Sequence, residues 1–473
     1  MKESPFIHLF HIGKRFFFYD VNRNSIEEIP EYVYQYLSSG ALDCIQEKEK
    51  AEEYVRHLQA AGFLKSSRPQ VSEHPVTEYY NAFVNNNVGQ LTLQVTQKCN
   101  LDCEYCVYSE NYHNRHHADK WMTFETARKA IDYLVSHSAD AEMLSLGFYG
   151  GEPLLAFDLI KECTLYAEKV FEGRRFLLNF TTNGTLLTED KVDFLVEHGF
   201  TMMISLDGPE QVQNRHRKFA NSEVGSFKLL MTNIENIKKR YPVFFKENIS
   251  FNTVIDPQYP ITEICDFALH NETVRDSSFM SSIVNDTYAD KKVEDSPEFT
   301  QEYAYEKFKV FLMMTGRLDK GRISPIMRDH FSRIKQIATM FERYPREELP
   351  YKGHRGGPCI PGVRKLFVTV DGKFYTCERV SEDSQAGYIG DIDQGVDIEK
   401  ALSILNIEKI SSKRCRNCWA YSFCGLCIAQ ADDGEKMADC KLCRECGDCR
   451  AGIESSLMDY VILRELGYNP DII

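Results

Sequence analysis

Tryptophan occurs only twice in 473 residues, and no apolar run approaches the roughly 20 residues that a membrane-spanning helix needs. The opening Met1-Lys2-Glu3-Ser4-Pro5 leads into Phe6-Ile7-His8-Leu9-Phe10. That run is too short for a signal-peptide core and is soon interrupted by Lys14 and Arg15. Basic residues are in deficit, with 56 Lys and Arg against 70 Asp and Glu and a formal net charge of −14. Phosphate binding needs a basic footprint, so a general nucleic-acid binder is excluded. Low-complexity linkers are also missing. The hydrophobic fraction of 43% and the aromatic fraction of 12% supply ample core material, which excludes wholesale disorder. These absences predict a cytoplasmic protein with neither nucleic acid nor membrane as partner.

Cysteine, by contrast, is abundant. Sixteen cysteines without an export signal read as metal ligands in a reducing compartment, not as disulfides. Three of them lie in Cys99-Asn100-Leu101-Asp102-Cys103-Glu104-Tyr105-Cys106. Cys-x3-Cys-x2-Cys offers three thiolates to a [4Fe–4S] cluster of four irons, leaving one iron open to a small molecule. The next cysteine, Cys163, falls in a different element. Zinc is the alternative, but it prefers four closed tetrahedral ligands, often as paired Cys-x2-Cys knuckles. The spacing, with an aromatic just before the last cysteine, resembles the radical S-adenosylmethionine (SAM) enzymes. That resemblance implies a cluster whose open iron chelates SAM, and one-electron cleavage of SAM to a 5′-deoxyadenosyl radical.

The length predicts two or three domains. Residues 1–85 read as strands at Phe6–Ile12, Arg15–Val21 and Ile26–Ile29, then helices at Glu31–Leu37 and Lys48–Ala60, with Val55, Leu58 and Leu64 as core positions. This is a winged-helix-like pattern, but Glu27, Glu28, Glu31, Glu47, Glu49, Glu52 and Glu53 argue against a duplex as partner. It resembles the recognition element of peptide-modifying enzymes, in which a leader peptide adds a strand to a sheet edge; a plain capping domain is the alternative. From 86 to 315 short apolar strands alternate with helices, expected at Phe124–Ser136, Leu159–Val170, Lys191–His198 and Phe227–Lys239. The strands are Leu91–Val95, Met143–Phe148, Phe176–Thr182, Met202–Leu206, Ile249–Ile255 and one within Val274–Val284. Repeated βα units predict a parallel sheet with ligands at the carboxyl ends of its strands. Six such units give an α/β fold class, and the resemblance implies a partial (β/α)6 barrel of the radical SAM type, open on one side. Residues 316–350 form a helical bridge, and 351–473 a cysteine-rich domain ending in an amphipathic helix, Ile453–Leu466.

Strand ends carry the remaining SAM-site candidates. Gly150-Gly151-Glu152-Pro153 allows close backbone approach and offers a carboxylate to an ammonium; by resemblance it holds the amino group of SAM. Asn183, Ser205 and Asp207 follow strands three and four, where hydroxyl, amide and carboxylate groups suit a ribose. Arg217 is expected to meet the SAM carboxylate bidentately, with Arg215 close enough to confuse the assignment. The resemblance sets Tyr105 against adenine and adds Asn252 and Val254. His113, His116 and His117 are expected on a solvated loop, and Cys44, Cys163 and Cys265 as small buried hydrophobes.

Ten cysteines follow between 359 and 449. Cys359-x12-Gly372-x4-Cys377 precedes Cys415-x2-Cys418-x5-Cys424-x2-Cys427, with a hairpin turning at Asp371-Gly372. The order is similar to the SPASM domain of peptide-modifying radical SAM enzymes, although the last spacing is two residues instead of three. By that analogy Cys359, Cys377 and Cys427 hold one auxiliary [4Fe–4S] cluster. Cys415, Cys418 and Cys424, with one of Cys440, Cys443, Cys446 and Cys449, hold a second. Cys446 is preferred from its offset to the final helix. No cysteine shortly before Cys359 completes the first set, so an open iron there is expected to bind a substrate thiolate.

Together the resemblance implies a maturase of ribosomally made precursor peptides that forms sulfur-to-carbon thioether crosslinks, served by a flavodoxin or ferredoxin-type electron donor. The alternatives are another peptide-modifying radical SAM enzyme (sulfatase-maturing dehydrogenase, epimerase or carbon–carbon crosslinker) or a cysteine-rich zinc-binding interaction protein.

Overall fold

The computed structural model describes residues 4–39, 45–343, 346–355, 357 and 359–468; Cys44 lies outside them. The first strands, β1 (Ile7–Ile12), β2 (Arg15–Asp20) and β3 (Ser25–Ile29), form an antiparallel sheet in that order. Two helices follow, Glu31–Ser39 and Ile45–Ala60. One face of this sheet packs on its own helices through Phe18, Ile29, Val33 and the expected Leu64, Val55 and Leu58. The other face is equally apolar. Phe6, Phe10, Phe17, Tyr19 and Ile26 share a core with Leu457, Tyr460 and Val461 of the helix Asp439–Glu465 and with Phe341.

A two-residue strand, β4 (Val71–Ser72), leads to the main sheet. Its parallel strands are β5 (Gln90–Thr96), β7 (Leu144–Gly150), β8 (Phe176–Thr182), β9 (Thr201–Ser205), β11 (Ile249–Ile255) and β12 (Ser278–Ile283). They stand in the order β12-β11-β9-β8-β7-β5, each pair parallel. Between β5 and β9 the connecting helices behave as expected. Phe124–Ser136, for example, is N-capped by Thr123, whose side chain accepts from the Thr126 amide, and it buries Ala127, Ala130, Ile131 and Leu134.

Two short strands interrupt the alternation. β6 (Leu101–Cys103), in the first cysteine motif, pairs antiparallel with β10 (Arg217–Phe219), setting Cys103 opposite Arg217. In the C-terminal part, β13 (Lys352–Gly353) pairs with β4. The expected hairpin is present as β14 (Leu366–Val368) and β15 (Lys373–Tyr375), turning at Gly372 with φ +79°. β14 lies parallel to β5, and β15, β16 (Tyr388–Asp391) and β17 (Gly395–Val396) continue outward, so the cysteine-rich part extends the parallel sheet to ten strands.

Two boundaries differ from expectation. The helix Tyr80–Asn86 straddles residue 85; Tyr80 and Val84 are buried in the main core, and the Tyr80 hydroxyl donates to Pro361 O at 2.7 Å. The final helix begins at Asp439, not Ile453, and takes in all four terminal cysteines. Their three-residue spacing is as compatible with a helix as with a metal knuckle.

The shared core makes the N-terminal unit a structural partner of the final helix. Phe17→Ala is expected to destabilise the fold by about 3–5 kcal/mol, read from the denaturant midpoint; an unchanged midpoint would mean that the two are not packed together.

Candidate functional site

The first cysteine motif leaves the carboxyl end of β5 and crosses that of β7. Gly150 and Gly151 make the crossing possible. A Cβ on Gly150 (φ +147°) would lie 2.0 Å from Thr96 O, and one on Gly151 2.2 Å from Lys98 O. The close approach expected of these glycines is thus to the chain's own loop. Amides of Gly151 and Glu152 donate to Thr96 O (3.0 Å) and Lys98 O (2.9 Å) and fix it. The loop holds Cys99, Cys103 and Cys106 near enough to raise one another's pKa values, although burial is the larger cause. Burial pushes the Cys103 thiol up to about 12. Such thiols stay protonated at neutral pH until a metal displaces the proton. The Leu101 amide donates to Cys99 Sγ at 3.4 Å, and Asn183 Nδ2 lies 4.0 Å from it.

Glu152 is buried, and burial raises its pKa. Its carboxylate accepts from the Leu154 amide (3.1 Å), Thr182 Oγ1 (2.7 Å) and the Asn183 amide (2.8 Å). A carboxylate has about four lone-pair sites, so there is room for one more donor, as an ammonium group requires. Asn183 also donates to Asn100 Oδ1 at 2.8 Å and accepts from Thr185. Asn100 was not singled out from sequence, yet it sits inside the cysteine motif and links it to the end of β8.

Asp207 joins three elements. Arg217 donates to it through Nε (2.8 Å) and Nη2 (3.3 Å), the Val254 amide donates at 3.0 Å, and the Tyr105 hydroxyl donates as well. Both charged partners are buried. The Arg217 fork is therefore spent on Asp207, and a bidentate grip on a ligand carboxylate through these nitrogens would require breaking that pair. Arg215 points elsewhere, its guanidinium 3.6 Å from the Tyr259 ring centroid. Ser205 is buried at the end of β9 opposite Asn252, and Asn252 and Val254 are half-buried on β11. His216, missed from sequence although it lies between the two arginines, has Nδ1 3.1 Å from Glu104 and Nε2 3.0 Å from Asp256. The two carboxylates outweigh burial and raise its pKa.

A second buried pair ties the loop to the C-terminal part. Arg115 Nε lies 2.9 Å from Glu382, which also accepts from Gln94 Nε2 at 2.7 Å. His113 and His116 are exposed, as expected; His117 instead stacks on Tyr108 and bonds Gln97 O at 3.1 Å. Cys163 and Cys265 are buried.

The C-terminal thiols divide into groups. Cys415, Cys418, Cys424, Cys446 and Cys449 line one cavity, with Cys424 and Cys449 Sγ 4.0 Å apart. Burial raises the pKa values of Cys377 and Cys427, with a smaller push on Cys377 from Cys427 and on Cys427 from Cys359. Cys440 and Cys443 are exposed. Each three-residue step falls about 60° short of a full helical turn, which carries the latter two away from the face that Cys446 and Cys449 share. Among the described residues, no three or more His, Cys, Asp or Glu side chains converge on a single-ion position.

The close pass at Gly151 gives a direct test. Gly151→Ala is expected to displace the 96–99 loop, lower stability by about 1–3 kcal/mol and reduce bound iron, measured by unfolding and iron assay; a variant with normal iron content would refute the constraint.

Residues 93–269 match the radical SAM superfamily model. The radical SAM cyclopropyl synthase TigE of Paramaledivibacter caminithermalis is 24% identical over 375 residues, 75% of this chain and 71% of TigE. The cysteine-type anaerobic sulfatase-maturating enzyme of Clostridium novyi is 32% identical over 160 residues, 33% of this chain and 42% of that enzyme. Native anSMEcpe with bound AdoMet superposes with a TM-score of 0.57 at 18% identity, covering 81% of this chain and 100% of that one, a likeness of fold. The three-thiol loop stands at the end of the first parallel strand, inside the segment that matches the radical SAM superfamily; that match implies a [4Fe–4S] cluster and SAM as cofactors and marks the protein as an enzyme.

Proposed function

We propose that this enzyme is a peptide maturase that installs sulfur-to-carbon thioether crosslinks in a ribosomally made precursor. The cluster and SAM, when bound, supply one-electron cleavage of SAM and hydrogen removal from an unactivated carbon. Cys99, Cys103 and Cys106 would hold that cluster, with Glu152 presenting its remaining acceptor position to the SAM ammonium. Asp207 keeps Tyr105 and Arg217 in place beside it, and Asn183, Ser205, Asn252 and Val254 line the strand ends where the rest of SAM would lie.

The observation that carries the reading is the unequal division of the C-terminal thiols. Cys415, Cys418 and Cys424 have two helix cysteines beside them, whereas Cys440 and Cys443 face solvent. This supports a first auxiliary cluster held by Cys359, Cys377 and Cys427 alone, with its fourth iron open to a substrate thiolate. A substrate cysteine held at such a site would be kept as the thiolate and positioned for coupling. The edge strands β1 and β3 each have a side unpaired within their sheet, which supports leader docking by strand addition at residues 1–85. A flavodoxin or ferredoxin-type donor would supply the electron. A second reading, peptide oxidation without a sulfur crosslink, is favoured by the similarity to the sulfatase-maturating enzyme of C. novyi.

One measurement tests the site that both readings share, and a second separates them. Replacing Cys99, Cys103 and Cys106 together by Ala is expected to abolish deoxyadenosine formation while auxiliary iron remains; continued formation under reductant would overturn the site. Adding substrate peptide should perturb the auxiliary-cluster spectrum, and a Cys→Ser peptide should do so much less. Equal responses from both peptides would favour the second reading.

A further inference from the structure

The cavity lined by five cysteines also contains three arginines, and they are not equivalent. Arg414 is neutralised by Asp439 through two contacts of 2.9 and 2.5 Å. Arg450 stands on the final helix, half-buried at the cavity wall. Arg355 alone is wholly inside, 2% exposed. Its Nη1 lies 3.2 Å from Cys424 Sγ and also donates to Leu426 O. Its Nε and Nη2 have no hydrogen-bond partner among the described residues. The nearby Glu408 carboxylate is engaged by the Arg355 backbone amide (2.7 Å) and by Ser72 Oγ (2.6 Å), not by the guanidinium. Burying a cation with two unmatched N–H-bearing nitrogens is costly unless the space it faces carries negative charge.

We propose that Arg355 is the buried counter-charge of the second auxiliary cluster and sets its reduction potential. This rests on the proposed reading that Cys415, Cys418, Cys424 and a helix cysteine hold that cluster. Four thiolates give a [4Fe–4S] cluster a net negative charge, and one-electron reduction adds another. A guanidinium against one ligand sulfur favours the reduced state over the oxidised one, the more so in a poorly solvated cavity. The cluster is thereby made a better acceptor for the electron that the crosslinking reaction releases. Arg355 acts through the cluster and so is a positioning and tuning residue.

The test uses the full-length chain with Cys99, Cys103 and Cys106 replaced by Ala, reconstituted anaerobically and titrated by EPR. In Arg355→Gln, one auxiliary signal is expected to need a more negative potential. Its ratio of reduced to oxidised cluster at fixed ambient potential should fall at least tenfold, about 59 mV for one electron. The same signal should vanish in Cys418→Ala, and Arg414→Gln, whose charge is already paired, should shift it less. Arg355→Lys keeps the charge without the fork and should give a smaller shift of the same sign. It decides the matter if the Gln variant retains no cluster. A midpoint equal to that of the parent in Arg355→Gln overturns the proposal, as does, where only Arg355→Lys is loaded, a midpoint lowered by a full tenfold in that ratio although the charge is kept. Absence of auxiliary iron and sulfide in the parent would instead refute the underlying cluster reading.

Discussion

A single carboxylate holds the candidate active centre together. Asp207 lies two residues past β9, yet its oxygens are claimed by Arg217 of β10, by Tyr105 from the cysteine motif and by the amide of Val254 on β11. Each partner belongs to a different element, so the charge pair sets their spacing. Removing one member of a buried pair typically costs about 3–5 kcal/mol because the other is stranded. Here the damage would extend to the β6–β10 ribbon, in which Arg217 lies opposite Cys103.

Around that node the chain follows one organising rule: the candidate site residues stand at or near the carboxyl ends of adjacent parallel strands. β5 delivers the thiols, β7 the two glycines and Glu152, β8 Asn183, β9 Ser205 and Asp207, and β11 Asn252 and Val254. Because β14 adds beside β5, the C-terminal segment begins next to the loop that leaves that strand. Arg115 and Glu382 then close the seam with a buried ion pair. The two cysteine-bearing regions are thus registered to each other by main-chain pairing as well as by side chains.

How far the sequence foretold this depends on the range of the interaction. Strands such as Phe176–Thr182 and helices such as Phe124–Ser136 were legible to the residue, because burial on two faces or on one stripe writes its own period into the chain. The strand-end motifs could be placed for the same reason. What stayed hidden was non-local or too short to have a period. The three-residue ribbon β6–β10 has no pattern of its own, and nothing local in Leu366–Val368 says that its partner lies in β5. Arg215 and Arg217 are two residues apart and differ only in that one ends a helix and the other begins a strand. The terminal cysteines misled because a spacing of three suits both a metal-binding loop and a helix face.

The pairing of β14 with β5 also bears on how the molecule comes into being. β5 emerges early in synthesis, buried on both faces in the finished sheet, but the edge it presents to β14 must wait until residues 366–368 have been made. The N-terminal sheet waits longer still, since its apolar face is covered by the helix Asp439–Glu465. Pairings of such sequence separation are slow to close, and an unpaired strand edge is an invitation to association with other chains. The nascent enzyme therefore carries two sticky surfaces, one open until residues 366–368 have been made and the other until residues 439–465 follow.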